Sequence, residues 1–199
     1  FGAGGYGCFC RNYYNIILAL MEIYMHFRVL KTDEICKKLF EHFQRHQIVT
    51  HCWRKIDGVW SVNEVSFTND WDNEEYFILV TNLKKTIASG GIVFGAFLGE
   101  MLKGFASIEN VFFGTSNEYI DLSNLHVSDD MRGKGIGKEL FHLIRIWAKE
   151  RGAAKLYISA HSAVESQAFY RAMGCEEAQE YSILHVEKEP YDCQLECKL

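Results

Sequence analysis

A glycine-rich run is the part of this sequence best suited to chemistry, and it reads Arg132-Gly-Lys-Gly-Ile-Gly-Lys138. It lies between an apolar segment that ends at Val127 and a helical pattern whose apolar face runs through 136, 140, 143, 144 and 147. Backbone N–H groups at a helix N-terminus bind anions, and the helix dipole strengthens that attraction. Because Arg and Lys side chains flank the glycines, the run predicts a diphosphate site; glycines that merely end a loop are the alternative.

Two better-known nucleotide signatures do not fit this run. The Walker pattern requires Ser or Thr after its lysine, whereas Lys138 is followed by Glu139. A dinucleotide fingerprint that begins at Gly133 would need its third glycine at position 138, which is lysine. The sequence therefore excludes a P-loop triphosphatase and a Rossmann-type dinucleotide site.

The strand before the loop carries a second signal. In Tyr119–Val127 the apolar residues fall at 120 and 122 and then at 125 and 127, so the alternation of period two changes parity once. One extra residue near Ser123 and Asn124 restores the pattern. This predicts a β-bulge in the middle of the strand.

Further elements surround this strand. Apolar alternation predicts strands at 27–30, 92–98, 102–113, 156–160 and 191–199, the last of them half-buried, and the Asp57-Gly58 pair predicts a hairpin turn. Residues 66–74 are expected to form a polar loop. Helical spacing predicts helices at 34–43, 75–89 and 136–150, and a capping box at Ser162 predicts one more. The order predicts an α+β or α/β domain, with a mixed sheet whose front half is antiparallel and which helices flank.

The composition is typical of a globular protein. The chain has 199 residues, of which 48% are hydrophobic and 24% charged, so we expect one domain over residues 25–199. The formal net charge of −5 provides no basic surplus for nucleic acid. Residues 1–24 are expected to form either a tail or a short apolar helix that docks on the domain or on a second subunit, which leaves a homodimer open.

The cysteines and the longest apolar segment bear on location. Seven cysteines form an odd set with no C-x-x-C pair, so we expect reduced thiols in the cytoplasm and no metal site. The apolar segment 13–27 is interrupted by Glu22 and is shorter than the roughly 20 residues that a membrane span requires. We therefore expect no membrane contact.

Two segments together resemble the GNAT superfamily of acyl-CoA N-acyltransferases. The segment Leu125–Gly137 is similar to motif A of that family, whose three signature positions are filled by Arg132, Gly135 and Gly137. The segment Glu165–Cys175 is similar to motif B, in the correct order and spacing. The chain is thus identified as a member of this superfamily by its motifs.

The resemblance implies a mixed central sheet of about seven strands, in which the bulged fourth strand splays from the fifth. In this family the pantetheine arm of the coenzyme lies in the gap and bonds to backbone groups, and a freed N–H group stabilises the oxyanion of the tetrahedral intermediate. It also implies acetyl-CoA as the acyl donor, no metal, and direct transfer to the amine of a small molecule or a peptide N-terminus. The implied coenzyme contacts are Leu125, His126, Val127, Arg132, Gly133, Lys134, Gly135, Ile136, Gly137, Lys138, Gln167 and Tyr170.

Direct transfer from a thioester needs a neutral amine and a proton for the departing thiolate. Tyr170 matches the general-acid tyrosine of the family, and a core aromatic residue is the alternative. For the base, the candidates are Glu109 near the end of its strand and Asp121 just before the bulge; either can instead be a solvated surface carboxylate. Alternation turns the ring of His126 away from the cleft, so we expect a packed or surface histidine rather than a catalytic one.

Acceptor binding falls on the part of the chain that matches the family least, residues 45–90. There Trp53, Trp71 and Asp70 are suited to form an aromatic and acidic wall for a cationic amine. Alternatively, the tryptophans pack the hairpin and the acid faces water. Two functions stay open: an acetyl-CoA-dependent N-acetyltransferase, which Tyr170 favours, and a non-catalytic acyl-CoA-binding module of the same fold.

Overall fold

The computed structural model describes residues 24–199. The segment 1–24, a predicted tail or short helix, lies outside the described residues except for Tyr24. The elements follow the chain in the order β1 (Met25–Val29), β2 (His46–Ile56), β3 (Val59–Asp70), α1 (Asn73–Ala88), β4 (Ile92–Leu98), β5 (Met101–Phe113), β6 (Tyr119–Val127), α2 (Ile136–Glu150), β7 (Lys155–Ala160), α3 (Val164–Ala172), β8 (Glu176–Glu177), α4 (Ile183–Lys188) and β9 (Cys193–Lys198).

Seven of the described strands form one mixed sheet in the order β1-β4-β5-β6-β7-β9-β8. Among these described strands only the β6–β7 pair is parallel. Helices α2 and α3 contribute to the core on one face, and α1 packs with residues 30–43 in the core on the other. This confirms the predicted mixed sheet, with its antiparallel front half and its flanking helices.

The bulge predicted in β6 is present at Ser123. Asn124 pairs with Ser107 of β5 and Leu122 pairs with Ile108, so Ser123 has no partner in this ladder. The Ser107 hydroxyl lies 2.9 Å from the Ser123 hydroxyl and accepts from the Asn124 side-chain amide at 2.8 Å. These bonds satisfy polar groups that a buried bulge would otherwise leave unpaired, and they stabilise the irregularity.

Strand β6 diverges from its parallel neighbour after the first three residues. The register between the two strands ends at the pair Asp121–Tyr157, although β6 continues to Val127 and β7 to Ala160. Beyond this point their facing backbone groups lack the partner strand that satisfies such groups in a closed sheet. The predicted splay between the fourth and fifth strands of the sheet is confirmed, and it opens a gap between them.

Helix α2 packs closely on β5 and β6 because its apolar stripe is buried and a glycine lets it approach. Ile136, Leu140 and Ile144 are at most 3% exposed, and each buried side chain of this kind contributes roughly 1.5–3 kcal/mol to stability. A Cβ atom at Gly104 would lie 2.8 Å from Ile136 and 3.1 Å from Leu140. Gly104 pairs with Val127, so this close approach fixes the start of α2 beside the open end of β6.

The hairpin β2–β3 forms a separate two-stranded sheet. Its turn has positive φ at both Asp57 (51°) and Gly58 (80°), which is the geometry that the Asp-Gly pair predicts. The loop predicted for 66–74 is wrong in its first half, because residues 67–70 stay paired with the start of β2 and extend β3 to Asp70.

The hairpin is bonded to the main sheet near the end of β7. The Trp53 amide donates to the Ser162 carbonyl at 2.8 Å. The Lys55 ammonium forms an ion pair with Glu177, and the Trp60 indole N–H donates to the same carboxylate at 2.9 Å. These contacts attach the hairpin to the end of β7 and to β8.

The same contacts correct the capping box predicted at Ser162. The N-cap residue of this helix is Ala163, one residue after Ser162, whose hydroxyl instead accepts from the Arg54 guanidinium at 2.6 Å. Helix α3 accordingly begins at Val164 with no side-chain cap.

Two further predictions are wrong in detail. A 3₁₀ turn at Lys37–Phe40 replaces the helix predicted for 34–43, because the Glu34 carboxylate pairs with Arg28 at 2.7 Å and holds the chain in a turn.

Strand β9 is buried on both faces rather than on one. Its Glu196 is fully buried, where it pairs with Lys155 at 3.1 Å.

Glu177 makes the attachment of the hairpin depend on pH. Burial raises the pKa of this carboxyl, but hydrogen bonds from Lys55, Tyr181 and Trp60 outweigh burial and lower the pKa to about 2. Such a group stabilises the fold above its unfolded pKa of 4.5, and this contribution is lost as the pH falls towards about 2. We expect Glu177→Gln to lower the melting temperature at neutral pH, and the difference from the parent to shrink as the pH falls through this range.

The matched control for this prediction is Glu176→Gln, which removes an exposed carboxylate that pairs with the exposed Lys198 at 3.1 Å. Its difference from the parent should stay small at every pH. If the melting temperatures of the parent and of Glu177→Gln differ by the same amount at every pH in the acid range, Glu177 does not have the lowered pKa that its hydrogen bonds predict.

Candidate active site

A cleft of about 1420 Å³ opens where β6 and β7 diverge. The second half of β6, the glycine run, α3, α4, α1 and the ends of the hairpin strands form its walls. Strand β6 runs along the cleft from Asp121 to Val127, a length of about 20 Å at the usual rise per residue. We call the part beside Arg132–Lys138 the loop end, and the part beside Asp121 the junction end.

At the loop end, backbone N–H groups converge without partners in the helix. Gly133 and Gly135 have φ of 76° and 83°, in the left-handed region that glycine adopts without strain. Gly135 is the N-cap of α2 and provides no side-chain cap, and the first bond of the helix runs from Glu139 to its carbonyl at 3.1 Å. The N–H groups of residues 136–138 therefore remain available to an anion, as predicted for a diphosphate site.

The chain that leads into the loop is held by a buried lysine. The Lys103 ammonium donates to Asp130 at 2.7 Å and to the His42 carbonyl at 2.8 Å, and the Ser128 hydroxyl donates to Asp130 at 2.5 Å. Burial raises the pKa of Asp130, but these two hydrogen bonds to its carboxylate outweigh burial and lower it. The loop thus leaves β6 in a fixed direction.

Arg45 also lines the loop end, and the sequence offered no signal for it. Its guanidinium lies 5.2 Å from the centre of the Trp71 ring, and its buried Nε has no hydrogen-bond partner among residues 24–199. Burial and the nearby Arg132 lower the pKa of Arg45, outweighing the carboxylates of Asp70 and Glu75. Arg132 is paired with Asp129 at 2.8 Å, whereas Arg45 forms no ion pair within residues 24–199, so an anion bound at this end would provide Arg45 with a partner.

Leu125, His126 and Val127 line the cleft along β6. The imidazole of His126 packs against Trp71 and Phe105, with ring centres 4.7 and 5.2 Å apart. Burial lowers its pKa to about 3, and the nearby arginines add to this effect. The ring is neutral at physiological pH and packed among aromatic side chains, in agreement with the expected packing role.

Tyr170 of α3 lines the same cleft. Its ring packs against Phe169 and Phe141, at 5.1 and 6.2 Å between centres, and the residue is 9% exposed. Burial raises the pKa of the phenol, and the neighbouring groups Cys175, Asp192 and Asp121 raise it further. The phenol therefore holds its proton at neutral pH and can donate it within the cleft.

The two predicted base candidates lie at the junction end, and both are bonded to other side chains. Glu109 accepts from the Thr86 hydroxyl at 2.6 Å. Asp121 pairs with Nε2 of His185 at 3.1 Å, and this hydrogen bond raises the pKa of the imidazole. His185 also stacks on Tyr157 at 5.5 Å, so the pair is rigidly placed.

The structure adds a third carboxylate at this end, Asp192, for which the sequence gave no motif. It immediately precedes β9 and accepts from the Ser159 hydroxyl at 3.3 Å. Burial and the nearby Glu189 raise its pKa to about 6. His185 belongs to a segment without clear periodicity, and the alternation of the predicted strand 191–199 marks Asp192 only as one of its polar positions, so no pattern singled them out as site residues.

The predicted acceptor residues do not come together. Trp71 lines the cleft, whereas Trp53 and Asp70 do not. Arg171 lies over the Trp53 ring at 4.3 Å, because the attachment of β2 to the end of β7 draws that ring to the other side. Asp70 is paired with His46 at 2.6 Å at the end of the hairpin. We therefore retain Trp71 alone of these three in the proposed site.

Two predicted coenzyme contacts also lie outside the lining of the cleft. Gln167 is 2% exposed, and its amide donates to the His161 carbonyl at 2.9 Å, so it supports the turn between β7 and α3. The Lys134 ammonium donates to the Asp130 carbonyl at 3.2 Å on the outer side of the loop. The remaining predicted contacts, from Arg132 to Lys138 and along β6, do line it.

Residues 24–199 contain no group of three His, Cys, Asp or Glu side chains that is arranged to hold a metal ion. None of the helices in this part of the chain is both long enough and apolar enough to cross a membrane.

Comparison with known proteins places the fold. The family model described as "Acetyltransferase (GNAT) family" matches residues 40–175. A structure assigned as a streptothricin acetyltransferase from Bacillus anthracis str. Ames, in complex with acetyl coenzyme A, has a TM-score of 0.67 at 21% identity, covering 88% of this chain and 99% of that chain.

Two other solved structures are similar. A nourseothricin acetyltransferase has a TM-score of 0.63 at 16% identity and covers 87% of this chain and 98% of its own. The PaiA N-acetyltransferase from Thermoplasma acidophilum, in complex with coenzyme A, has a TM-score of 0.56 at 15% identity, with coverage of 88% and 99%. At these sequence identities the structural similarity shows a common fold and no more. No curated protein matches the chain.

The loop geometry predicts that coenzyme A stabilises the folded chain. At a ligand concentration about 100-fold above Kd, the free energy of unfolding should rise by about 2.7 kcal/mol, which raises the melting temperature of a chain of this size by roughly 5–10 °C. Gly135→Val should abolish this rise, because a β-branched residue is strained at φ of 83° and distorts the N–H groups.

Gly152→Val is the matched control, since Gly152 has φ of 86°, equally open surroundings, and a position at the far end of α2. It should lower the melting temperature of the free protein but keep the rise with coenzyme A. A folded parent with no rise at millimolar coenzyme would contradict the diphosphate site.

Proposed function

This chain belongs to the Acetyltransferase (GNAT) family, and from that premise we propose that it transfers the acetyl group of acetyl-CoA directly to a primary amine. The observation that carries the proposal is that the strand divergence, the glycine loop and the buried phenol of Tyr170 all line one cleft. Each of the three provides one part of a thioester-to-amine transfer. Donor and acceptor would meet in a ternary complex.

The loop end is the proposed site for the diphosphate of the coenzyme. The N–H groups of residues 136–138 and the guanidinium groups of Arg132 and Arg45 would bind it. The pantetheine arm would then lie along β6 at residues 125–127 and bond to the backbone groups that β7 leaves unpaired. Two of the similar structures contain acetyl-CoA or coenzyme A, which supports this placement.

This placement puts the thioester near the bulge of β6, within reach of the junction end. A backbone N–H group freed at the divergence would stabilise the oxyanion that forms when the amine attacks the carbonyl carbon. When the C–S bond breaks, the departing thiolate needs a proton. The phenol of Tyr170 holds one at neutral pH and would supply it.

For the acceptor, we propose the amine of a small molecule, with a peptide N-terminus as the second class. One of the similar structures is a nourseothricin acetyltransferase and another is assigned as a streptothricin acetyltransferase, which favours a small molecule. The indole of Trp71 beside the cleft would provide an apolar contact for it. The reduced cysteines of the sequence favour the cytoplasm as the place of action.

The experiment that tests the reaction class is thiol release from acetyl-CoA against a panel of alkylamines, diamines, amino sugars and dipeptides. Release that depends on an amine supports the enzyme. Binding of coenzyme A without release on any member of the panel would instead support the non-catalytic acyl-CoA-binding module.

The role of Tyr170 predicts a specific effect of removing its hydroxyl. Tyr170→Phe keeps the ring packed against Phe141 and Phe169, so we expect coenzyme affinity within a few-fold of the parent. Turnover should fall by about 10²-fold or more, because the thiolate must leave without a proton donor.

Tyr119→Phe is the control for the loss of a buried tyrosine hydroxyl. That hydroxyl bonds to Glu196 and does not line the cleft, so the variant should lose stability but keep its turnover per folded molecule. Parent-like turnover in Tyr170→Phe would contradict the general-acid role.

A further inference from the structure

The position of Asp192 at the junction end connects it to the reacting groups. It immediately precedes β9, whose first residue, Cys193, pairs with Ala160 at the end of β7. The Ser159 hydroxyl donates to its carboxylate at 3.3 Å. Asp192 therefore lies at the rim of the strand divergence, and it lines the same cleft as Tyr170.

The other carboxylates of this end are engaged or exposed. One oxygen of Asp121 lies 3.1 Å from Nε2 of His185, and its other oxygen, Oδ1, is buried without a hydrogen-bond partner among residues 24–199. Glu109 accepts a short hydrogen bond of 2.6 Å from the Thr86 hydroxyl, and Glu189 is exposed to solvent. Within residues 24–199, Asp192 forms no ion pair with a lysine, arginine or histidine. Asp192 is half-buried, and its one side-chain hydrogen bond, from Ser159, is longer at 3.3 Å than the bond that Glu109 accepts, which leaves its carboxylate free to accept a proton.

The groups that face Asp192 determine its basicity. Burial and Glu189 raise its pKa, the Ser159 hydroxyl, His185 and Lys188 lower it, and the resulting pKa is about 6. The carboxylate in turn raises the pKa of Tyr170 across the cleft, so the two groups are close enough to interact. A carboxyl group with this pKa is largely ionised at neutral pH and is a stronger base than an ordinary aspartate.

We propose that Asp192 is the catalytic base that removes a proton from the acceptor amine, and that Ser159 is the positioning residue for its carboxylate. This inference rests on the acetyl transfer proposed above. The base is thus on the chain segment before β9, and not on β5 or β6, where the sequence suggested Glu109 and Asp121.

The proton balance of the transfer is complete with these two residues. The ammonium form of the acceptor gives one proton to Asp192, and the neutral nitrogen attacks the thioester carbonyl carbon to form the C–N bond. The C–S bond breaks, and the thiolate takes the proton of Tyr170. The second proton of the amine nitrogen restores the phenol, and Asp192 returns its proton to solvent.

This role predicts a pH profile that a structural role would not. With ionised Asp192 as the base, the ammonium form of the amine reacts, so kcat/KM of the parent should be level between about pH 6 and the pKa of the amine, near 10.4 for an alkylamine. In Asp192→Asn only the neutral amine can react. Its log(kcat/KM) should then rise with a slope of about one over the same range.

The experiment measures kcat/KM against pH for the full chain with the best amine of the panel. At neutral pH we expect Asp192→Asn to lose about 10²-fold or more, and the loss should shrink as the pH approaches the pKa of the amine. Asp192→Glu should restore part of the level region. Glu187→Gln, an exposed carboxylate of α4 outside the cleft, is the matched control and should leave the profile unchanged.

Ser159→Ala provides a second variant that keeps the carboxylate in place. Because the Ser159 hydrogen bond lowers the pKa of Asp192, its removal should move the acidic limb of the profile to higher pH. The pH profile of Ser159→Ala therefore tests the inference even if Asp192→Asn does not fold.

Three results would overturn the inference. If the parent is active and the pH profile of kcat/KM in Asp192→Asn has the same shape as that of the parent, either at the same level or lowered by the same factor at every pH, Asp192 is not the base. The proposed function then still stands. With Ser159→Ala, an acidic limb that stays in place or moves to lower pH excludes Asp192 as the titrating group. If the folded parent acetylates no amine, the proposed function fails and the inference fails with it.

Discussion

The site depends on the separation of two parallel strands after Asp121 and Tyr157. Peptide groups inside a sheet need partners, so a gap of this kind is costly unless something satisfies its edges. The bulge at Ser123, stabilised by the hydroxyl of Ser107, helps to turn β6 away. The close contact of α2 with Gly104 then sets the glycine loop at the open end of that strand. The bulge and this contact together place the glycine loop beside the gap.

The cleft is divided electrostatically along its length. At the loop end the arginines and the first turn of α2 favour an anion, and the neutral His126 adds no charge. At the junction end, protonatable groups with shifted pKa values face one another, and burial keeps the phenol of Tyr170 protonated beside the carboxylate of Asp192. A thioester placed between these ends would meet a proton donor on one side and a proton acceptor on the other.

The sequence predicts those parts of the site that come from local chain geometry. The glycine loop and the bulge at Ser123 follow from residue spacing within one strand or loop, and Tyr170 follows from the resemblance to motif B of the family. Arg45 and Asp192 could not be found in this way, because only the packing of distant segments brings them to the cleft. The same limit explains why Trp53 was wrongly predicted to bind the acceptor, because the attachment of the hairpin at Ser162 holds its ring away from the site.

Amide hydrogen exchange with and without coenzyme A tests most directly whether the strand divergence holds the pantetheine arm. The free protein should exchange quickly at those amides of residues 122–127 that face β7, since no strand protects them there. Coenzyme A should slow exchange at these amides and at residues 133–138, and leave the paired strand β4 unchanged. Binding that leaves the exchange of residues 122–127 as it is in the free protein would contradict this placement.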